Sequence, residues 1–95
     1  MGNKLTAPAQ LPDENDLRGV LAYNMRLFRV NKGWSQEELA RQCGLDRTYV
    51  SAVERKRWNI ALSNIEKMAS ALGVPAYQLL MPPQHLVDLL DAEAV

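Results

Sequence analysis

Residues 36–55, with the sequence QEELARQCGLDRTYVSAVER, decide the fold of this chain. Ala40 is small enough to let two helices approach closely, and Gly44 can adopt the left-handed conformation that a tight helix exit requires. A second helix follows within a few residues, with Val50 and Val53 on its inner face. The stretch therefore predicts two short helices that cross at a steep angle, with the outer face of the second helix free.

The residues before this stretch predict one longer helix. Apolar side chains recur at steps of three and four from near Asp16 until Gly33, which should end the helix. Ser35 followed by Glu38 is a capping box that predicts the start of the second helix. Asp46 can cap the third helix. Three helices are thus expected before residue 56.

The residues after it predict two further helices. Ser63 with Glu66 forms a second capping box that opens a fourth helix, and Gly73 ends that helix. Pro75 can open a short fifth helix over residues 76–81, since two prolines follow directly. No alternating strand pattern occurs, so the fold class is all-α.

The domain organisation follows from these elements. A flexible N-terminal arm is expected over residues 1–15, which hold two prolines and lack helical periodicity. Residues 16–82 form one compact five-helix domain. Residues 83–95 form a C-terminal tail whose apolar cluster suits either a short helix against the core or a dimer or partner contact.

The charge is unevenly distributed although its sum is zero. Residues 26–58 carry eight basic and four acidic side chains, whereas both ends of the chain are net acidic. A basic middle suits a surface that faces phosphate groups. This pattern favours nucleic acid as a partner despite the neutral total.

Other function classes have little support. Cys43 is the only cysteine and His85 the only histidine, so neither a catalytic nucleophile with its base nor a metal site is expected. No apolar run is long enough to cross a bilayer. We therefore expect a cytoplasmic, non-enzymatic protein without a cofactor, metal ion, membrane contact or small-molecule effector.

Several motifs resemble the lambda-repressor-like helix-turn-helix family, which includes the Cro, cI and XRE types. They are Trp34–Ala40 (WSQEELA), Leu45–Ser51 (LDRTYVS), Val53–Arg55 (VER) and Ala71–Pro75 (ALGVP). The likeness extends from about residue 24 to residue 80. The third-helix motif is most similar to that of restriction-modification controller proteins. The resemblance implies a bacterial or phage transcription regulator with a lambda-repressor-like fold that binds double-stranded DNA.

The outer face of the third helix is the expected DNA reader. Arg47 can clasp a guanine with two donors, Thr48 and Ser51 can bond to base edges, and Ala52 can pack on a thymine methyl group. The predicted DNA-backbone contacts are Gln36, Tyr49, Arg55, Arg57 and Asn59. Trp58 follows them, either as a further DNA contact or packed against the core or a second protomer.

The resemblance also implies two structural features. Arg29 and Glu54 match a pair that forms a partly buried ion bridge in the family. Because one recognition helix covers only a few base pairs, a homodimer on a symmetric operator is expected. Its predicted interface consists of Val74, Pro75, Tyr77, Leu80 and Met81. The alternative is a DNA-binding antitoxin or a helix-turn-helix module that binds another protein.

Overall fold

A computed structural model describes residues 10–85, in which five helices and no strand occur. The helices are α1 (Leu17–Asn31), α2 (Gln36–Cys43), α3 (Arg47–Glu54), α4 (Leu62–Leu72) and a 3-10 helix (Ala76–Leu80). The backbone of residues 83–85 is again helical at the end of the described range. The prediction of an all-α, five-helix fold is confirmed. Residues 1–9 of the predicted arm and 86–95 of the predicted tail lie outside the described residues.

The turn between α2 and α3 consists of three residues and depends on Gly44. This glycine has a φ of 72°, and its amide donates to the carbonyl of Arg41 at 3.3 Å. The next amide, of Leu45, donates to the carbonyl of Ala40 at 2.9 Å. These two bonds satisfy carbonyls that the helix end would otherwise leave without a partner. The same pair of bonds ends α1 and α4, at Gly33 and Gly73.

The exit from α3 has the same geometry without a glycine. The amide of Lys56 donates to Val53 at 3.0 Å, and the amide of Arg57 donates to Ala52 at 2.9 Å. Lys56 has a φ of 60° and is the one non-glycine residue with a positive φ in the part of the chain that the structure describes. A left-handed conformation costs a side-chain-bearing residue about 1 to 2 kcal/mol. The exit of α3 therefore carries backbone strain that the other helix ends avoid.

Asp16 connects the start of α1 to this strained exit. One of its carboxylate oxygens accepts from the Gly19 amide at 3.0 Å and caps α1, while the other accepts from Lys56 Nζ at 2.5 Å. A Cβ at residue 19 would lie 2.4 Å from the carboxylate, so this arrangement requires glycine there. The bonds from Lys56 and then Gly19 hold the pKa of Asp16 below its ordinary value.

The core lies between the four α-helices and the 3-10 helix. Its buried members are Leu21, Met25, Leu39, Ala40, Val50, Val53, Ile65, Met68, Ala69, Leu72 and Leu79. These residues follow the three- and four-residue spacing by which the helices were predicted. Packing around this core leaves the outer face of α3 toward solvent.

Asn24 is a fully buried polar residue that joins α1 to the 3-10 helix. Its side-chain amide donates toward the carbonyls of Gln78, Leu79 and Met81 at 3.2, 3.1 and 2.7 Å. The end of a helix presents carbonyls without partners, and a buried carbonyl is costly unless it accepts a hydrogen bond. Asn24 thus caps the 3-10 helix from within the core.

Details of three predicted helices are corrected. Asp46 is the N-cap residue of α3 as predicted, but its side chain forms no capping hydrogen bond. α4 begins at Leu62 with Ala61 at the N-cap and no side chain capping it, so the predicted box of Ser63 and Glu66 does not form. Ser63 already lies inside the helix, whereas a capping side chain belongs to a residue with non-helical backbone. The short helix predicted over residues 76–81 is a 3-10 helix that ends at Leu80.

Candidate nucleic-acid interface

α3 is fixed to the core on one side and exposed on the other. Val50 and Val53 are 0% and 1% exposed, because both lie on the face that packs against α1 and α2. Arg47 and Thr48 are exposed at the first turn, and Ser51 is half-buried one turn later. The sequence predicted this division between faces from the spacing of the two valines.

The exposed side of α3 forms a shallow, polar concavity. It is lined by Arg47, Thr48, Ser51 and Arg55. These side chains offer guanidinium N–H donors and hydroxyl groups that both donate and accept. A concave surface of this chemistry can form hydrogen bonds to base edges and to phosphate oxygens.

Ala52 does not belong to this surface, so the prediction that it faces a base is wrong. It is 4% exposed. Although Ala52 follows Thr48 by one turn, the fold covers its side chain, whereas Thr48 is exposed. Periodicity alone could not detect this, because burial depends on how the other elements pack around α3.

The predicted ion pair between Arg29 and Glu54 is present. Arg29 Nε and Nη2 donate to the two carboxylate oxygens of Glu54 at 2.7 and 3.1 Å, and Nη1 donates to the carbonyl of Trp34 at 2.7 Å. The side chains are 11% and 3% exposed. Two parallel hydrogen bonds fix both the position and the angle of the guanidinium relative to the carboxylate. It also turns the one acidic side chain of α3 away from the exposed surface.

Gln36 joins the same contact from α2. Its side-chain amide donates to a carboxylate oxygen of Glu54 at 3.0 Å. We refer to Arg29, Gln36 and Glu54 as the buried polar cluster, in which Gln36 is only half-buried. The sequence predicted a phosphate contact for Gln36 and missed this bond, since residues 36 and 54 are too far apart for spacing to reveal it. The cluster links α1, α2 and α3.

Tyr49 and Trp58 form a pair of aromatic rings beside α3. The ring centroids are 5.7 Å apart at an interplanar angle of 61°. The Tyr49 hydroxyl accepts from Asn64 Nδ2 at 2.9 Å, which leaves its proton able to donate. Tyr49 packs against the core, whereas Trp58 is 46% exposed. Of this pair, only Tyr49 is a core residue.

The remaining predicted backbone contacts lie at the surface. Arg55, Arg57 and Asn59 are all exposed, at the end of α3 and in the loop that follows it. Together with Arg47 they give the surface around α3 a positive character. Cationic side chains are the groups that neutralise DNA phosphates.

The predicted dimer residues occupy one continuous segment from the end of α4 to the end of the 3-10 helix. Tyr77 is 60% exposed and Pro75 is exposed, whereas Val74 and Leu80 are half-buried against the core. Met81 is half-buried. Only part of this segment is therefore free to contact a second protomer.

A second apolar surface was not predicted. Leu17 and Leu62 are 57% and 72% exposed and border a groove that also contains Ile60 and Leu80. The helical spacing assigned Leu17 to the inner face of α1, but it lies in the first turn of the helix. The exposure of a leucine such as Leu62 cannot be predicted from the sequence, because it depends on which neighbouring helices cover the side chain.

Residues 10–85 contain no group of three or more His, Cys, Asp or Glu side chains that could hold a metal ion. Burial raises the pKa of the Cys43 thiol, which disfavours its thiolate form. Among the described residues, no helix is both long and apolar enough to cross a membrane.

Comparison with known proteins gives consistent matches. A hypothetical transcription factor of Neisseria meningitidis serogroup B (strain MC58) is 84% identical over 94 residues, which is 99% of this chain and 89% of that protein. The crystal structure of the hypothetical transcription factor NHTF from Neisseria aligns with a TM-score of 0.86 at 87% identity, covering 90% of this chain and 99% of that one.

A second solved structure is the restriction-modification controller protein C.AhdI from Aeromonas hydrophila. It is 44% identical, with a TM-score of 0.63 over 70% of this chain and 94% of that one. The similarity to controller proteins that the third-helix motif suggested is therefore confirmed. The family model described as helix-turn-helix matches residues 25–79, which include α2, the turn at Gly44 and α3. The chain belongs to the helix-turn-helix family.

Proposed function

We propose that this protein is a sequence-specific regulator of transcription that binds a two-fold symmetric DNA operator as a homodimer. α3 enters the major groove, where Arg47, Thr48 and Ser51 contact base edges. Gln36, Tyr49, Arg55, Arg57 and Asn59 contact the sugar-phosphate backbone on either side. Because the relatives described above are bacterial proteins, the proposed place of action is the bacterial cytoplasm, in the manner of a restriction-modification controller.

The observation that carries this proposal is the concave surface formed by Arg47, Thr48, Ser51 and Arg55 on the exposed side of α3. A helix fits the major groove of B-DNA, and the groove presents a different pattern of donors and acceptors for each base pair. The guanidinium and hydroxyl groups match that pattern. The buried polar cluster supports the proposal, because it orients α3 and removes the Glu54 carboxylate from the surface that would meet phosphates.

Selection of bound duplexes from a random pool, followed by titration of the selected duplex at two salt concentrations, tests the proposal. The expected product is a palindromic motif whose half-sites are separated by about one helical turn. The affinity should fall steeply with salt, by a slope of about −0.9 for each phosphate contacted. A pool that remains random after selection would contradict sequence-specific binding and favour the alternative of a helix-turn-helix module that binds another protein.

Substitution of Arg47 tests the assignment of base contacts. Arg47→Ala should weaken binding to the selected duplex by about 1 to 3 kcal/mol and leave binding to an unrelated duplex nearly unchanged. Because Arg47 is exposed, this substitution should not affect folding. Arg57→Ala is the matched control, since a phosphate contact should weaken both complexes equally. Equal losses on both duplexes for Arg47→Ala would assign Arg47 to the backbone instead.

A further inference from the structure

Trp58 is the large apolar side chain at the edge of the proposed DNA interface that neither the core nor the assigned contacts explain. It is 46% exposed, and it is not among the half-buried residues that pack against the core, whereas Trp34 is. The exposed part of an indole ring is apolar surface in contact with water, and covering that surface in a complex is favourable. A tryptophan in this position therefore suits a surface that becomes covered in a complex.

The structure fixes the position of this side chain although it lies in a loop. Lys56, in its left-handed conformation, reverses the chain direction two residues earlier. The edge contact with Tyr49 holds the indole at 5.7 Å between ring centroids, and Asn64 in turn bonds to the Tyr49 hydroxyl. Trp58 thus has a defined place before any partner binds, which reduces the entropy lost when it forms a contact.

That place is next to the first turn of α3. Tyr49, which Trp58 contacts, directly follows Thr48 in the sequence. The neighbours of Trp58 in the chain, Arg57 and Asn59, are both exposed. If α3 enters the major groove as proposed, the exposed loop beside its first turn lies on the flank of the helix, where a sugar-phosphate strand borders the groove.

We infer that Trp58 packs its ring on a deoxyribose of this bordering strand and donates its indole N–H to the adjacent phosphate. The inference rests on the proposed function and adds a contact of different chemistry to it. An apolar ring against a sugar displaces water, whereas the arginines of the same surface neutralise charge. The contact does not depend on the base, so it should strengthen binding to every duplex.

The experiment is a titration of full-length wild type, Trp58→Ala and Trp58→Phe with the selected duplex and with an unrelated duplex at two salt concentrations. We expect Trp58→Ala to lose affinity for both duplexes by at least about fivefold, a typical effect of removing a buried interface tryptophan. The salt slope should be unchanged. Trp58→Phe should recover most of the affinity, since the phenyl ring can still cover the sugar.

Arg57→Ala is the matched control, because loss of a phosphate contact should reduce the salt slope by about one. A second measurement uses the Trp34→Phe background, in which Trp58 is the only tryptophan. DNA should protect the Trp58 fluorescence in that background from quenching by acrylamide.

Three results would overturn the inference. Trp58→Ala could bind as tightly as wild type, or acrylamide could quench Trp58 equally with and without DNA. Sedimentation in the absence of DNA could also show that Trp58→Ala weakens dimerisation enough to account for the whole loss, which would assign Trp58 to a second protomer. A wild-type protein that binds no duplex would instead overturn the proposed function, and this inference with it.

Discussion

At the residue scale, the carboxylate of Asp16 forms two separate contacts. It caps α1 through the Gly19 amide and pairs with Lys56 at the exit of α3. Residues 16 and 56 are forty positions apart, so no local pattern in the sequence predicts their contact. The sequence predicted that order begins near Asp16, because the helical spacing of apolar residues is a local pattern, but it predicted neither the cap nor the ion pair.

The two contacts of Asp16 can be separated by substitution and pH. Asp16→Asn keeps a good capping side chain but removes the charge that pairs with Lys56. The folded-state pKa of Asp16 is below its ordinary value, so the folded protein holds this carboxyl deprotonated more strongly than the unfolded chain does. The stabilisation is therefore complete above about pH 4 to 5 and is lost as the pH falls through the folded-state pKa.

We expect Asp16→Asn to melt at a lower temperature than wild type at pH 7, and the difference to shrink as the pH falls through the lowered pKa of Asp16. Thermal unfolding followed by circular dichroism across this pH range measures the difference. A gap that stayed constant with pH would mean that capping geometry, and not the charge, accounts for the effect.

At the scale of elements, the helix ends show which structural features can be predicted from nearby residues alone. Gly44 and Gly73 were predicted as helix exits because only glycine enters the left-handed region at no steric cost. The same two hydrogen bonds end α3, but there the left-handed residue is a lysine, which no composition rule predicts. Ala52 likewise departs from expectation, since its burial depends on how whole helices pack around it.

Glycine at residue 56 should relieve the strain of this exit. Lys56→Gly removes the cost of the left-handed conformation, which raises the free energy of unfolding by about 1 to 2 kcal/mol. Glycine also gives the unfolded chain more backbone entropy, which lowers the free energy of unfolding by about 0.5 to 1 kcal/mol. Relative to Lys56→Ala, which lacks the ion pair but keeps the strain, Lys56→Gly should be more stable by about 0.5 to 1 kcal/mol. Urea unfolding of both variants measures this difference. If Lys56→Ala were the more stable, the left-handed conformation would not be the one adopted in solution.

At the scale of the whole molecule, two exposed apolar surfaces are candidates for the interface of the proposed dimer. One is the segment containing Tyr77, which the sequence predicted, and the other is the groove bordered by Leu17 and Leu62. Leu80 belongs to both surfaces. Periodicity identifies apolar positions but cannot decide which of them remain uncovered once a small core is full.

Charged substitutions distinguish these surfaces without disturbing the monomer, because both target side chains are largely exposed. Tyr77→Glu should raise the dimer dissociation constant by at least about tenfold, since an interface that buries an unpaired carboxylate is strongly disfavoured. Leu62→Glu serves as the comparison. Analytical ultracentrifugation measures the dissociation constants of both variants. If only Leu62→Glu dissociates the dimer, the interface lies in the groove.

The buried polar cluster has a consequence for the kinetics of the proposed DNA complex. Arg29, Gln36 and Glu54 hold three helices in one arrangement before any DNA is present. We therefore expect that no helix has to form or rotate on encounter and that association is limited by diffusion and electrostatic steering. Operators that differ in sequence are then distinguished by how long the protein stays on each of them, and its residence time determines how long a promoter remains occupied.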